Sequence, residues 1–148
     1  RGIAKLAGLE VIIVPGATGY YDTDYKGKGE AAVECLKRSE FVAVHVESSD
    51  EASHNGDLAE KVRALENIDQ HVIAPILAEA KRSGDLRILV MPDHPTPIAK
   101  RTHTGDAVPA CLWGPGFERQ GAGVFSERAI AGLVPVPAHA LAGILTAK

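Results

Sequence analysis

Two short stretches hold most of the side chains able to do chemistry: "VHVESSDEASHNGD", residues 44–57, and "MPDHPTPIAKRTHTGD", residues 91–106. In the first, Asp50 and His54 stand four apart. That spacing puts both on one face if the segment is helical. Carboxylate oxygen and imidazole nitrogen together suit zinc, manganese and related divalent ions. In the second, Asp93 and His94 are adjacent, so on an extended chain they would point opposite ways. Pro92 and Pro95 bracket the pair and predict a bend that lets both reach one ion. His103 follows in the polar loop "RTHTG". Each pair alone also fits a capping or turn aspartate beside a solvated histidine. Two carboxylates and three histidines beyond predicted strand ends make a stronger joint signal, because two metals close together clamp the attacking and leaving oxygens of a phosphoryl transfer. Spacing by itself supports divalent-metal chemistry on an oxyanion and no particular substrate. His45, His71 and His139 read as core or surface histidines.

The elements that must position these residues follow from hydropathy. "EVIIVP" reads as a buried strand closed by a Pro15-Gly16 turn, and "FVAVHVE" as a second strand. Between them, residues 28–38 carry Ala31, Ala32, Cys35 and Leu36 at helical spacing. From Asp57 to about Arg82, Leu58, Val62, Leu65, Ile68, Val72, Ile76 and Ala80 form one stripe. That pattern predicts a long helix burying Leu58, Val62, Leu65 and Ile76 against the sheet. Asn55 or Asp57 would cap it, Pro75 would kink it and Gly84 would end it. "LRILVM" is the next strand, apolar enough to be covered on both faces, and "AVPACLWG" another. A glycine-rich loop, "GPGFERQGAG", follows, and "FSERAIAGL" and "PAHALAGILTAK" read as terminal helices. Strands alternating with helices predict an α/β fold, a layered sheet with helices on both faces. In such sheets ligands gather beyond the carboxyl ends of strands, where both acid–histidine pairs are expected.

Composition sets the outer limits. The chain has 148 residues, 45% of them hydrophobic and 24% charged, with a net charge of −3. These are globular values, without the clustered basic excess of a nucleic-acid binder. No apolar run reaches the roughly 20 residues needed to span a bilayer. Cys35 and Cys111 lack ligand-like spacing and are expected to be reduced core thiols, in keeping with a cytoplasmic protein. The chain opens on Arg1 inside a stretch that already looks like a helix end feeding a strand, as either trimming of a tag or a cut from the middle of a longer protein would produce.

"RGIAKLAGLEVIIVPGATGYYDTDY", "HVESSDEASHNGD" and "VMPDHPTPIAKRTHTGDAVP" together resemble the carboxyl-terminal portion of archaeal-type cofactor-independent phosphoglycerate mutases, members of the alkaline phosphatase superfamily. The resemblance runs from Arg1 through at least Pro109. It implies that residues 1–148 are the carboxyl-terminal part of a phosphatase-like metal-binding domain. It also implies that Asp50, His54 and His103 hold one divalent ion, and Asp93 and His94 a second. Manganese is the expected metal, with magnesium, cobalt or zinc as alternatives. The family completes the second site with an aspartate and a nucleophilic serine near its amino terminus. None of Ser39, Ser48, Ser49, Ser53, Ser83 and Ser126 lies in a stretch resembling that nucleophile motif, and the family's inserted substrate-binding domain is not found here either. Ser48, Ser49 and Ser53 stand where relatives tend to carry smaller residues or proline, a departure that leaves the ligands in place. The implied activity of the parent protein is interconversion of 3- and 2-phosphoglycerate in glycolysis through a phosphoserine, with no turnover by this chain alone. A phosphatase or another phosphomutase of the superfamily is the competing enzyme reading, and a non-catalytic metal- or partner-binding module the competing reading of another class. A small phosphorylated substrate is the expected partner, with no nucleic acid and no membrane; the oligomeric state is open.

Overall fold

The computed structural model describes residues 2–118, 121 and 123–147. They divide into two compact units, one ending at Ile76 and one beginning at Leu77.

The first unit opens with α1 (Gly2–Leu6), which buries no residue. Residues 9–14 then run extended into a turn. Pro15 presets that turn and Gly16 supplies its positive φ of 74°, while the Ala17 amide donates to the Val14 carbonyl at 3.1 Å, as a type II turn requires. α2 (Tyr25–Leu36) begins three residues earlier than its apolar spacing predicted. Asp24 sets the start, its side chain accepting from the Gly27 amide at 2.8 Å, which satisfies one of the orphan donors of a first helical turn. After a second extended run, residues 40–47, comes α3 (Ser48–Asn55), closed by Gly56 at φ 72°. Asp57 caps α4 (Leu58–Ile68), accepting from the Glu60 amide at 2.9 Å. Residues Asp69–Ile73 then form a π-helical turn, and α5 (Ala74–Ser83), which starts in this unit and ends in the next, follows directly in sequence. The widened turn lies just ahead of Pro75, which lacks the amide that would bond to the His71 carbonyl. Gly84, at φ 78°, ends the helix.

Three expectations for this unit are overturned. Neither residues 9–14 nor residues 40–47 form a ladder among the described residues, and Ile13 and Phe41 are 65% and 46% exposed. The predicted stripe is buried only in its second half: Val72 and Ala80 are buried and Ile68 and Ile76 half-buried, whereas Leu58, Val62 and Leu65 face outward, Leu65 being 51% exposed. In the first half Ala64 is the buried residue. At Gly29 of α2, an added Cβ would lie 2.0 Å from the His71 carbonyl oxygen.

In the second unit, β1 (Ile88–Val90) pairs antiparallel with β2 (Cys111–Trp113), Leu89 facing Leu112. Arg87 ties the chain together. Its Nε donates to the Pro115 carbonyl at 2.8 Å, its Nη1 to the carbonyls of Leu145 and Ala147, and its guanidinium lies 5.3 Å from the Phe117 ring centre. α6 (Ala138–Thr146) buries Leu141. Residues 125–133 form turns rather than the predicted helix. Cys111 is exposed while Cys35 is buried, so only one of the two thiols is a core residue. The three-residue β1 is half-buried rather than covered on both faces. Of the predicted glycine-rich loop, Arg119, Gln120 and Ala122 lie outside the described residues, as does Lys148 of the last predicted helix.

Candidate metal centre

The first half of the candidate site is a single helical turn. α3 forms over "SSDEASHN", so Asp50 and His54 fall on one face, and His54 Nε2 lies 3.3 Å from Asp50 Oδ2 with both side chains partly buried. Two donors bound to one ion at about 2.0–2.2 Å sit roughly 3–3.5 Å from each other. The pair therefore has the separation of neighbouring ligands on one metal. α3 is anchored from beneath by Ser48, Ala52 and Ser53, all fully buried, and the Ser53 hydroxyl donates to the Ser49 carbonyl at 2.7 Å.

Asn55, next after His54, holds the far end of α3. Its Nδ2 donates to the Tyr20 hydroxyl at 3.1 Å, the Tyr21 hydroxyl at 2.6 Å and the Glu51 carbonyl at 2.9 Å. The two tyrosine rings stack with centres 4.0 Å apart. The hydrogen bond with Tyr20 raises the Tyr21 phenol above its ordinary value, burial adds to that, and the Asn55 amide partly opposes it.

The second half is the loop after β1. The chain bends at Asp93 and His94, as the flanking prolines predict, and the His94 amide donates to Asp93 Oδ1 at 3.1 Å. The bend leaves His94 Nε2 3.4 Å from Asp93 Oδ2, again the spacing of neighbouring ligands. On the other ring nitrogen, Thr96 Oγ1 lies 3.4 Å from His94 Nδ1; Thr96 is buried. A group on the second nitrogen is how proteins orient a ligand imidazole. The loop closes where the Thr104 amide donates to the Pro95 carbonyl at 3.0 Å, and this sets the His103 ring against the His94 ring, centres 3.7 Å apart. The turn passes through Arg101 at φ 53°, a conformation that non-glycine residues adopt at a cost of about 1–3 kcal/mol, typically at functional sites.

All five predicted donors thus fall into two local groups, Asp50 with His54 and Asp93 with His94 and His103. Of the remaining histidines, His45 Nδ1 lies 3.5 Å from Glu47 Oε1, His71 sits in the π-helical turn and His139 on α6. Sequence reasoning missed Thr96 and the Asn55–tyrosine cluster. Thr96 was within reach, because "HPT" places a hydroxyl two residues beyond a ligand-type histidine. The tyrosine pair gave no signal, since its partner lies 34 residues away.

A fold of the α/β class with acid–histidine pairs of this kind defines a class, and the chain belongs to the metalloenzyme superfamily, which it matches over residues 2–148. Within that superfamily it is similar to proteins named 2,3-bisphosphoglycerate-independent phosphoglycerate mutase. The Methanosarcina acetivorans protein is 52% identical over 76% of this chain and 29% of its own length. The Geobacter sulfurreducens protein, named as a probable mutase of this kind, is 47% identical over 90% of this chain and 34% of its own. A solved structure of a Pyrococcus horikoshii protein superposes with a TM-score of 0.80 at 34% identity, over 87% of this chain and 39% of that one. The chain therefore spans about a third of the length of the curated relatives it matches.

Proposed function

We propose that these 148 residues are the carboxyl-terminal, metal-ligating part of a cytoplasmic 2,3-bisphosphoglycerate-independent phosphoglycerate mutase. The observation carrying this reading is the identity to relatives of that name, 41–52% across the archaeal proteins and 47% for the Geobacter protein. The donor chemistry supports it: Asp50 offers a carboxylate oxygen, and His54 and His103 an imidazole nitrogen each. These three are assigned to one divalent ion, and Asp93 and His94 to a second, with manganese as the expected metal. Bound there, the ions would offset charge on the transferring phosphoryl oxygens and lower the pKa of the attacking hydroxyl. That hydroxyl belongs to a serine in the part of the family chain outside these residues. It takes the phosphoryl group from 3-phosphoglycerate and returns it to the 2-hydroxyl of the reoriented glycerate. This chain's own contribution is positional. α3 fixes Asp50 and His54, and the proline-bracketed loop fixes Asp93, His94 and His103.

The test compares conversion of 3-phosphoglycerate by this chain and by a full-length protein containing it, each with added manganese. Turnover is expected only from the full-length protein, and His94→Ala in it should abolish most of that turnover. Robust conversion by the 148 residues alone would place the nucleophile within them and overturn the proposal. Net release of inorganic phosphate by the full-length protein, with no 2-phosphoglycerate formed, would make it a phosphatase instead.

A further inference from the structure

The helix that carries Asp50 and His54 is held on the side away from them. At about 100° per residue, Ser48, Ala52 and Asn55 share one line of α3, and Asp50 and His54 lie on the opposite side. Ser48 and Ala52 are fully buried, whereas Asn55 is exposed and meets its partners through hydrogen bonds. α3 has only eight residues, and its N-cap, Glu47, makes no side-chain cap bond. It falls short of the roughly 12–15 residues at which a helix persists by itself. Gly56 closes the backbone, its amide donating to the Ala52 and Ser53 carbonyls. What remains to be fixed is where that last turn lies, and His54 with it.

The base for this is the turn of residues 18–23. The Thr18 amide donates to Thr23 Oγ1 at 3.1 Å, the Thr18 hydroxyl to Asp22 Oδ1 at 2.7 Å and the Tyr20 amide to Thr18 Oγ1 at 3.2 Å. Thr23 is buried. The turn meets α3 at both ends: the Glu47 carboxylate leaves no room for a Cβ at Gly19, and the stacked tyrosines accept from Asn55. We infer that Asn55 is a positioning residue for the first ion, tying the last turn of α3 to the Tyr20–Tyr21 pair so that His54 stays at ligand distance from Asp50. The inference deepens the metal assignment proposed above and rests on it. Asn55 is next to His54 in the chain, so a shift of one backbone shifts the other. Groups that orient a metal ligand from outside the ligand set commonly govern affinity by about 10–100-fold.

The experiment titrates manganese calorimetrically into the full-length protein containing this chain, one ion at a time. His94→Ala leaves the first ion to be read, and His54→Ala the second. Asn55→Ala should weaken binding about tenfold or more in the His94→Ala protein. In the His54→Ala protein it should leave binding unchanged, the second ion serving as the control for folding. Tyr20→Phe with Tyr21→Phe keeps both rings and removes only the acceptor oxygens. This pair should weaken the first ion to the same degree, and adding Asn55→Ala to it should weaken the ion no further, because the three residues act as one unit. If Asn55→Ala does not fold, the tyrosine pair decides. Equal weakening of both ions would make the contact a general support of the fold, and an unchanged first ion would make it incidental. Either result overturns the inference and leaves the metal assignment standing. Retention of both ions by the His54→Ala protein would overturn the assignment itself, and the inference with it.

Discussion

Asn55 adjoins the candidate ligand His54 and holds its end of α3 in place. Its amide group bridges both stacked tyrosines and the Glu51 carbonyl, so the end of α3 carrying His54 is tied to residues 20 and 21. The Tyr21 phenol reports on that tie. Its largest raising influence is the hydrogen bond with Tyr20, and Asn55 acts in the opposite sense by donating to the oxygen, which favours the phenolate. Two substitutions should therefore move its ionisation in opposite directions. Tyr20→Phe should bring it down toward the ordinary phenol value of about 10, and Asn55→Ala should push it further up. Ultraviolet titration of the tyrosines measures both, and a shared direction would contradict the arrangement. Lowering the pH should also weaken divalent-ion binding at the histidines, because an imidazole must be unprotonated to coordinate. Binding of manganese followed calorimetrically between about pH 8 and pH 5.5 tests this, since carboxylates stay ionised over that window, and a profile flat across it would mean that the histidines do not coordinate.

Among the elements, the long helix separates what patterning reveals from what it hides. Its span and both ends were legible: Asp57 caps it, Gly84 stops it, and Pro75 marks the irregularity, realised as a π-helical turn rather than a simple kink. Its buried face was legible only in part: Val72 and Ala80 of the apolar stripe are buried, but in the first half Ala64 is buried and Leu58, Val62 and Leu65 are exposed. Periodicity identifies an apolar side of a helix and does not say how far a neighbour covers it. The close approach is made by α2, whose Gly29 admits the backbone at His71. A pair of glycine substitutions tests that contact. Alanine is favoured over glycine in a helix by about 1 kcal/mol, so Gly143→Ala in α6, where nothing lies within 4 Å of the new Cβ, should stabilise the chain. Gly29→Ala meets a carbonyl oxygen at 2.0 Å, an atom of the backbone that cannot rotate away. Overpacking of about 1–3 kcal/mol then outweighs propensity, and the variant should be destabilised. Leu65→Ala completes the comparison. A core leucine would cost about 2–5 kcal/mol, but at its observed exposure the change should stay within about 0.5 kcal/mol. Urea unfolding of the three variants distinguishes these outcomes, and a large loss at Leu65 would restore the face that periodicity predicted.

At the scale of the whole chain, the local geometry of the candidate ligand pairs was readable because each is set by neighbours in sequence: a four-residue spacing on a helix, and a proline-bracketed bend. The strands were not readable as such, because a strand is completed by partners that may lie anywhere in a sequence. Residues 9–14 and 40–47 have the composition of buried strands and the exposure of surface. That mismatch has a measurable size. Two separate compact bodies of half this 15.6 kDa mass would together expose about 8,700 Å². The chain exposes 10,086 Å², more than that generous reference allows, and among the described residues the largest fully buried side chains are serines. Against an extended chain of about 22,600 Å², folding buries roughly four-fifths of what a single compact monomer of this mass would. The heat capacity of unfolding scales with the area exposed, at about 12–15 cal/mol/K per residue for ordinary domains. Calorimetry on the isolated chain should accordingly give about 10–12 cal/mol/K per residue, by that same proportion. An isolated chain already at about 15 cal/mol/K per residue would mean that Ile12, Ile13, Phe41 and Val44 are covered in solution as in an ordinary domain.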